Sequence, residues 1–383
     1  MIQPTVVDLF SGCGGMSWGL EKSGFKTIAA IDNWTVALRT FAHNHPDALV
    51  VDDDIREVDA SELMEKLGVE PGQLDVIVGG PPCQGFSKNV PASYRYLQDE
   101  RNQLFRDYMR FVEAFMPKAI VMENVAELYN AYGGLVRTEI TDWLHRLGYK
   151  TDVRVLTASD YGVPQKRRRC IFLASRVGHT PSIPIPDIGL FGGLAESIQS
   201  VSAWDAISDL PRLEMGEAFE PRRNPNQPSN SFQEWARQST DVVHNHVAAQ
   251  LRPTQVERYA ALEPGQGIKD LPDHLRPKGG YSGAYGRLDF TGVAPTITRW
   301  VFHPGSGRYG HPRERRIITM REAARLQSFT DDFVFLGSKN DIAGQIGNAV
   351  PPRMMAALAE EVKRCIQPAG TPLEVQLAQV SVA

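Results

Sequence analysis

Cysteine is scarce in this 383-residue chain: there are four, at positions 13, 83, 170 and 365. No two form a Cys-x-x-Cys pair, which argues against a disulfide framework and against a zinc site. No apolar run approaches the roughly 18–20 residues of a membrane span. The first residues, Met1-Ile2-Gln3-Pro4-Thr5, lack the basic and apolar regions of a signal peptide. These absences together point to a reducing cytoplasm and no membrane. Internal repeats are also missing. So is a strong net charge: 41 Lys and Arg stand against 45 Asp and Glu, leaving −4. Taken alone, that argues against a protein that simply coats nucleic acid with positive charge.

The charge that is present is unevenly placed. Residues 1–130 carry 11 basic and 19 acidic side chains, whereas residues 252–325 carry 13 and 7. His274, His303 and His311 add to the second stretch. An acidic lobe beside a basic lobe hints at a polyanionic partner. Apolar residues make up 42% and charged residues 22%, enough to bury a core. The length suggests two domains, or one large domain with an insertion.

Through the first 175 residues, short apolar runs alternate with helical patterns. The runs are 5–10, 27–32, 74–80, 118–125, 151–157 and 170–175. The helical segments include 16–23, 35–44, 102–115 and 135–147. This alternation predicts an α/β fold with a parallel sheet covered on both faces. From about Pro181 to Pro312 the texture turns rich in Pro, Gly, Asn and Arg with weak periodicity, which predicts an irregular, loop-rich second domain. Helical pattern returns in 321–327 and 353–366. The expected division is 1–180, an insertion at 181–316, completing helices at 317–366, and a tail at 367–383.

The first strand runs into Asp8-Leu9-Phe10-Ser11-Gly12-Cys13-Gly14-Gly15. A glycine-rich turn between strand and helix lets a ligand approach the backbone. It falls short of the dinucleotide fingerprint, because Ser17 occupies the sixth position. Asp32 follows about 20 residues on, placed to accept from two ribose hydroxyls. Asp53-Asp54-Ile55 follows the third strand. This set suits a ligand with a ribose and an adenine but no phosphate. The fourth strand runs into Gly79-Gly80-Pro81-Pro82-Cys83-Gln84-Gly85, at the sheet edge where active sites collect. Cys83 lies in a polar, proline-stiffened loop, and a thiol is intrinsically a strong nucleophile. Cys13, Cys170 and Cys365 read as core filling.

Pro81-Pro82-Cys83-Gln84, the Phe10–Gly15 turn, Glu123-Asn124-Val125 and Gln165-Lys166-Arg167-Arg168-Arg169 occur in the order found in the cytosine-5 DNA methyltransferase family. Arg321–Phe329 and Gln345–Pro351 match it too, so the chain resembles that family in blocks that frame nearly its whole length, leaving the insertion and the C-terminal tail unmatched. The resemblance implies a Rossmann-like sheet that uses S-adenosyl-L-methionine, interrupted by a target-recognition insertion. Cys83 would be the nucleophile adding to C6 of cytosine. Glu123 would protonate or hydrogen-bond N3, its carboxyl pushed toward the neutral form if enclosed. Asn124 would hold loop and base. Arg167 and Arg169 would serve the base O2, the catalytic loop or a nearby phosphate.

For the cofactor, the resemblance assigns Phe10 to the adenine and Gly12 and Gly14 to admitting the amino-acid end. Asp32 would take the ribose, Trp34 would form a wall, Asp54 would meet the adenine amino group and Ile55 would stack. Asn348 and Ala349 would close the site. Double-stranded DNA would be the partner, its target base flipped out. Arg287, Thr296, Arg299, Arg308, Arg313 and Arg315 are the expected DNA contacts, with Thr296-Ile297 similar to a Thr-aliphatic element of the recognition domain. One departure is Thr330, where the family commonly has Pro. A compact bacterial or phage enzyme is implied, monomeric, with a cognate restriction endonuclease as a further partner. The competing readings are a transfer-RNA methyltransferase of the same family, a binding protein with a dead site, and a nicotinamide dehydrogenase.

Overall fold

A computed structural model describes residues 3–82, 104–185, 200–279 and 283–368. The first lobe begins with β1 (Thr5–Leu9), α1 (Gly15–Glu21), β2 (Lys26–Asp32), α2 (Thr35–Asn44), β3 (Leu49–Asp52) and α3 (Ala60–Leu67). It continues with β4 (Val76–Gly79), α4 (Leu104–Phe115), β5 (Ala119–Val125), α5 (Leu135–Arg146), β6 (Lys150–Thr157), the two-residue β7 (Gln165–Lys166) and β8 (Arg168–Ser175).

Seven of these strands form one sheet in the order β3-β2-β1-β4-β5-β8-β6. The expectation of a parallel sheet holds from β3 to β5 and fails at β8, which runs antiparallel to both β5 and β6. The reason is local. Only residues 158–167 separate β6 from β8, too few for the helical crossover that a parallel neighbour requires.

The sheet is buried on both faces, and alternate residues serve each. Val7, Leu9, Ile77, Ile120 and Met122 pack beneath α3, α4 and α5. Val6, Val76, Val78, Val121 and Ile171 pack beneath α1 and α11 (Pro352–Cys365). Helix ends follow their capping residues. Asp59 accepts from the amides of Ser61 and Glu62 at 2.7 and 3.2 Å to start α3, and Gly68 stops it at φ 63°.

Beyond residue 200 come α6 (Ala203–Ile207), β9 (Arg222–Arg223), α7 (Ser231–Arg237), β10 (Val242–Val243), α8 (Pro253–Ala260) and β11 (Ala294–Pro295). The insertion is thus less bare of regular structure than its composition suggests. Among the described residues none of its helices exceeds eight residues, too short to print a hydrophobic period. Two helices precede α11: α9 (Met320–Leu326) and α10 (Lys339–Asn348). The second was legible only as a motif. Its glycines admit neighbours: a Cβ on Gly344 would lie 2.8 Å from the Trp34 ring, and one on Gly347 would lie 2.3 Å from the Arg299 amide nitrogen.

One apolar core joins Ala203, Phe232, Tyr259, Ile297 and Val301 to Ala323, Leu326, Phe329, Phe333 and Ile346, and reaches Cys13 and Trp18 of the first lobe. Among the described residues no helix is long and apolar enough to cross a membrane.

Candidate active site

The strand order reverses at the parallel β1–β4 pair: β2 and β3 extend to one side, β5 to the other. Ligands of open α/β sheets bind at such a switch point, beyond the carboxyl ends of the strands. Two adjoining hollows, of about 500 and 340 Å³, open there. Phe10, Asp32, Asn33 and Pro82 line both, so they form the partition between them.

The smaller hollow gathers Phe10, Asp32, Asp54 and Ile55. Phe10 holds φ 58°, a left-handed conformation unusual for a bulky residue; such outliers cluster at ligand sites. Asp32 accepts from the amides of Gly12 and Trp34 at 2.8 and 2.9 Å. Burial pushes its carboxyl above the usual range. The Asn33 amide also bonds to it; a carboxylate has about four acceptor sites, so room remains for a hydroxyl donor. Asp54 lines the hollow, but its carboxylate already accepts from Arg56 at 2.6 and 2.9 Å, and that partner lowers it to about 2. An adenine amino group would have to share it with Arg56. Ile55 is buried at the wall.

The larger hollow takes in Gly12, Trp34, Asn348 and Ala349, as expected of the cofactor set. Gly14 does not line it. A Cβ there would strike His45 and Phe41 at 2.6 and 2.8 Å, so this glycine serves packing against α2, and the expectation that it admits a ligand is corrected. Gly15 lines the hollow in its place.

Glu123 and Asn124 leave the end of β5 and enter the same cleft. Glu123 pairs with Nε of Arg169, both side chains largely enclosed. The Asn124 amide donates to the Pro81 carbonyl at 2.9 Å. That bond fixes the strand end leading to the cysteine loop. Cys83 itself lies outside the described residues. Arg167 is 1% exposed, and its guanidinium donates to the Ile297 carbonyl at 3.2 Å; burial opposes its charge. Gln165 accepts from the Ile297 amide at 2.7 Å and bonds to Gln327. Thr296 donates to the Lys166 carbonyl at 2.9 Å, beside the β7–β11 pairing. The Gln-x-Arg-x-Arg stretch therefore latches the Thr296-Ile297 element onto the cleft wall.

The expected DNA contacts divide. Arg299 is exposed and lines the cleft. Arg313 and Arg315 are exposed, Arg313 lying 4.5 Å over the Trp204 ring. Arg308 is half-buried and donates to the Gly265 carbonyl at 2.7 Å. Arg287 departs from expectation. It is 6% exposed and donates to the carbonyls of Leu262, His311 and Pro312. Three of its five donors are taken by carbonyls inside the protein, so it acts as a brace.

Sequence reasoning passed over several residues. Asp8 is buried at the cleft floor, accepts from Ser17 Oγ at 2.6 Å, and is pushed up to about 7 by burial. Its signal was a carboxylate inside an otherwise apolar strand. Ser11 Oγ, Gln345 Oε1 and Arg167 Nε are buried without a partner among the described residues, and all three side chains line the larger hollow. The Arg321–Phe329 motif also carries hidden weight. Arg325 pairs with Asp331 at 2.6 Å and with Asp209 of the insertion at 3.1 Å. Arg316 forks onto Glu322 at 2.7 and 2.8 Å. Thr330, at the departure from the family pattern, accepts from Trp18 Nε1 at 2.9 Å.

A mostly parallel α/β sheet with a polar cleft at its switch point is the frame of a Rossmann-like methyltransferase. Comparison with known proteins makes this specific. Residues 4–364 match the family described as C-5 cytosine-specific DNA methylase, and the chain belongs to that family. It is a DNA (cytosine-5)-methyltransferase. It is 34% identical over 361 residues to the Type II methyltransferase M1.HphI of Haemophilus parahaemolyticus, covering 94% of this chain and 86% of that one. It is 35% identical over 380 residues to M.DdeI of Desulfomicrobium norvegicum, covering 93% and 88%. Among solved structures, a chain described as a DNA modification methyltransferase encoded within an E. coli prophage aligns with TM-score 0.75 and 27% identity, over 95% of this chain and 99% of that one.

Proposed function

We propose that the enzyme uses S-adenosyl-L-methionine and a covalent Cys83 adduct to methylate cytosine within a specific duplex DNA sequence. The observation that carries the reading is the Asn124–Pro81 bond. It ties the strand that bears Glu123 to the segment leading into Cys83, on the cleft that Phe10 and Asp32 share. The unpartnered Ser11 Oγ and Gln345 Oε1 fit a polar ligand, as does the acceptor capacity left on Asp32. When bound, S-adenosyl-L-methionine would supply an electrophilic methyl group. Asp32 would hold the ribose, Phe10 and Ile55 the adenine, and Asn348 and Ala349 the amino-acid end.

The remaining steps belong to the chain's own groups. The Cys83 thiolate would add to C6 of the flipped cytosine. Glu123 would supply a proton or hydrogen bond at N3, which makes C5 electron-rich enough to accept the methyl group. Arg169 would hold Glu123 in place. Loss of the C5 proton and release of the thiolate would restore the aromatic ring. Residues 181–316 would form the target-recognition domain, and the exposed Arg299, Arg313 and Arg315 would meet phosphates or guanine edges. The Type II names of the relatives support a modification role beside a restriction endonuclease.

Labelled-methyl transfer to unmethylated plasmid DNA and to transfer RNA, with bisulfite sequencing of the product, tests this. Label at C5 of one cytosine context in DNA is expected. Label in RNA alone would move the enzyme to the transfer-RNA branch.

A further inference from the structure

The turn after the latched Thr296-Ile297 element exposes an aromatic ring that the reaction does not yet use. Trp300 is 54% exposed. Large exposed apolar side chains are few among the described residues, namely Leu49, Leu135, Ile185, Val247 and Trp300, and Trp300 is the aromatic one. Its neighbour Arg299 lines the cleft that holds Glu123 and Arg167. The Arg299 guanidinium lies 5.3 Å from the centre of the Trp300 ring, within cation–π range. Phe302 flanks the ring at 6.1 Å and is itself capped by Lys339 at 5.4 Å.

The backbone beneath this ring is fixed. The Trp300 amide donates to Thr298 Oγ1 at 3.3 Å, the Val301 amide to the Thr298 carbonyl at 3.0 Å, and the His303 amide to the Trp300 carbonyl at 2.9 Å. Tyr309 holds the Thr296 carbonyl at 2.9 Å and touches Thr298 Oγ1 at 3.2 Å. Gly347 of α10 closes on Thr298 and Arg299 so tightly that a Cβ there could not be accommodated. Three residues of chain separate Trp300 from Ile297, at most about 11 Å, and Ile297 is bonded to Gln165 and Arg167. The backbone that carries the ring is therefore anchored beside the catalytic wall.

An exposed aromatic on an anchored backbone, paired with a cation that lines a base-accepting cleft, matches a stacking platform for nucleobases. Apolar side chains that enter a base step stabilise the opened duplex in the same way. We infer that Trp300, backed by Arg299, stacks on a base face uncovered when the target cytosine leaves the helix, and so favours the flipped state. This rests on the DNA reading above and adds to it a residue that acts on the flipping equilibrium.

The probe is a duplex carrying the cytosine context mapped by bisulfite sequencing, with 2-aminopurine in place of the target cytosine. Wild-type enzyme is expected to brighten the 2-aminopurine on binding. In Trp300→Ala, DNA affinity is expected to fall on the order of 10- to 100-fold, with loss of the fluorescence gain and unchanged affinity for S-adenosyl-L-methionine. Trp300→Phe is expected to restore most of both signals, and Trp300→Leu, apolar but lacking a π face, to restore little. Wild-type behaviour of Trp300→Ala or Trp300→Leu overturns the platform while leaving the DNA reading intact. Failure of the wild-type enzyme to methylate any duplex overturns the DNA reading, and the platform falls with it.

Discussion

In the seven-stranded lobe, burial is achieved with apolar side chains. β1, β4 and β5 are nearly continuous runs of Val, Ile, Leu and Met, and the helices present apolar faces to them. In the lobe formed by the insertion and α9–α10, burial of the same completeness includes ions. Arg316, Arg321 and Arg325 are at most 2% exposed, and their partners Glu322, Asp331 and Asp209 are at most 4% exposed. The difference teaches how each lobe is made specific. Apolar packing tolerates exchange if volume is kept, whereas a buried ion pair demands every partner in place. The second lobe must seat a loop-rich insertion against the cleft in one orientation, and Asp209, reached by Arg325 of α9, spans that junction.

The largest effect on this contrast should come from Arg325→Ala. It leaves Asp331 and Asp209 without their shared cation inside the protein. Removing one partner of such a group costs about 3–5 kcal/mol. Urea unfolding should show that loss, and a change under 1 kcal/mol would mean the ions are bystanders. Next comes a pair that separates brace from contact. Arg287→Ala strips the donor from three buried carbonyls and should lower stability by about 1–3 kcal/mol. Arg299→Ala should leave stability within about 0.5 kcal/mol. It should weaken DNA binding and reduce the salt dependence by about one unit of slope, without touching affinity for S-adenosyl-L-methionine. If Arg299→Ala lowered cofactor affinity instead, the division of labour between the lobes would be wrong.

The last effect is a pH dependence, at Asp8. Its carboxyl holds a proton up to about pH 7 in the fold, against 3.8 for the unconstrained group. Between those values the folded chain binds more protons than the unfolded one. This group therefore lowers stability as pH rises from about 4 to about 7, and adds nothing further above that. Asp8→Asn keeps an acceptor for Ser17 and removes the titration. The stability difference between variant and wild type should grow across that window and then level off. A flat difference would show that Asp8 ionises freely.

The same contrast explains what could be read from sequence. The sheet strands were legible because apolar runs bounded by Gly and Pro leave a clear pattern, as at Val76–Gly79. The reversal of β8 was not, since a run of residues carries no direction. In the cleft, Glu123, Asn124, Arg167 and Asp32 were legible as motif residues, and the structure brings them to one cleft. Gly14 and Arg287 were misjudged for a shared reason. Each is a residue type that serves ligands and packing equally well, and only its neighbours decide. Arg325 and Glu322 were visible as a motif, yet their task was hidden, because their partners lie at Asp209 and Arg316, outside any local pattern.

The proposed catalysis turns on a covalent step at one thiol. A duplex with 5-fluorocytosine at the mapped target should trap it, since fluorine cannot leave C5 as the proton does. Incubated with enzyme and S-adenosyl-L-methionine, it should give a denaturation-resistant complex whose crosslinked peptide contains Cys83, absent in Cys83→Ala. A wild-type enzyme that methylates cytosine efficiently yet forms no such complex, or one crosslinked through Cys13, Cys170 or Cys365, would contradict it.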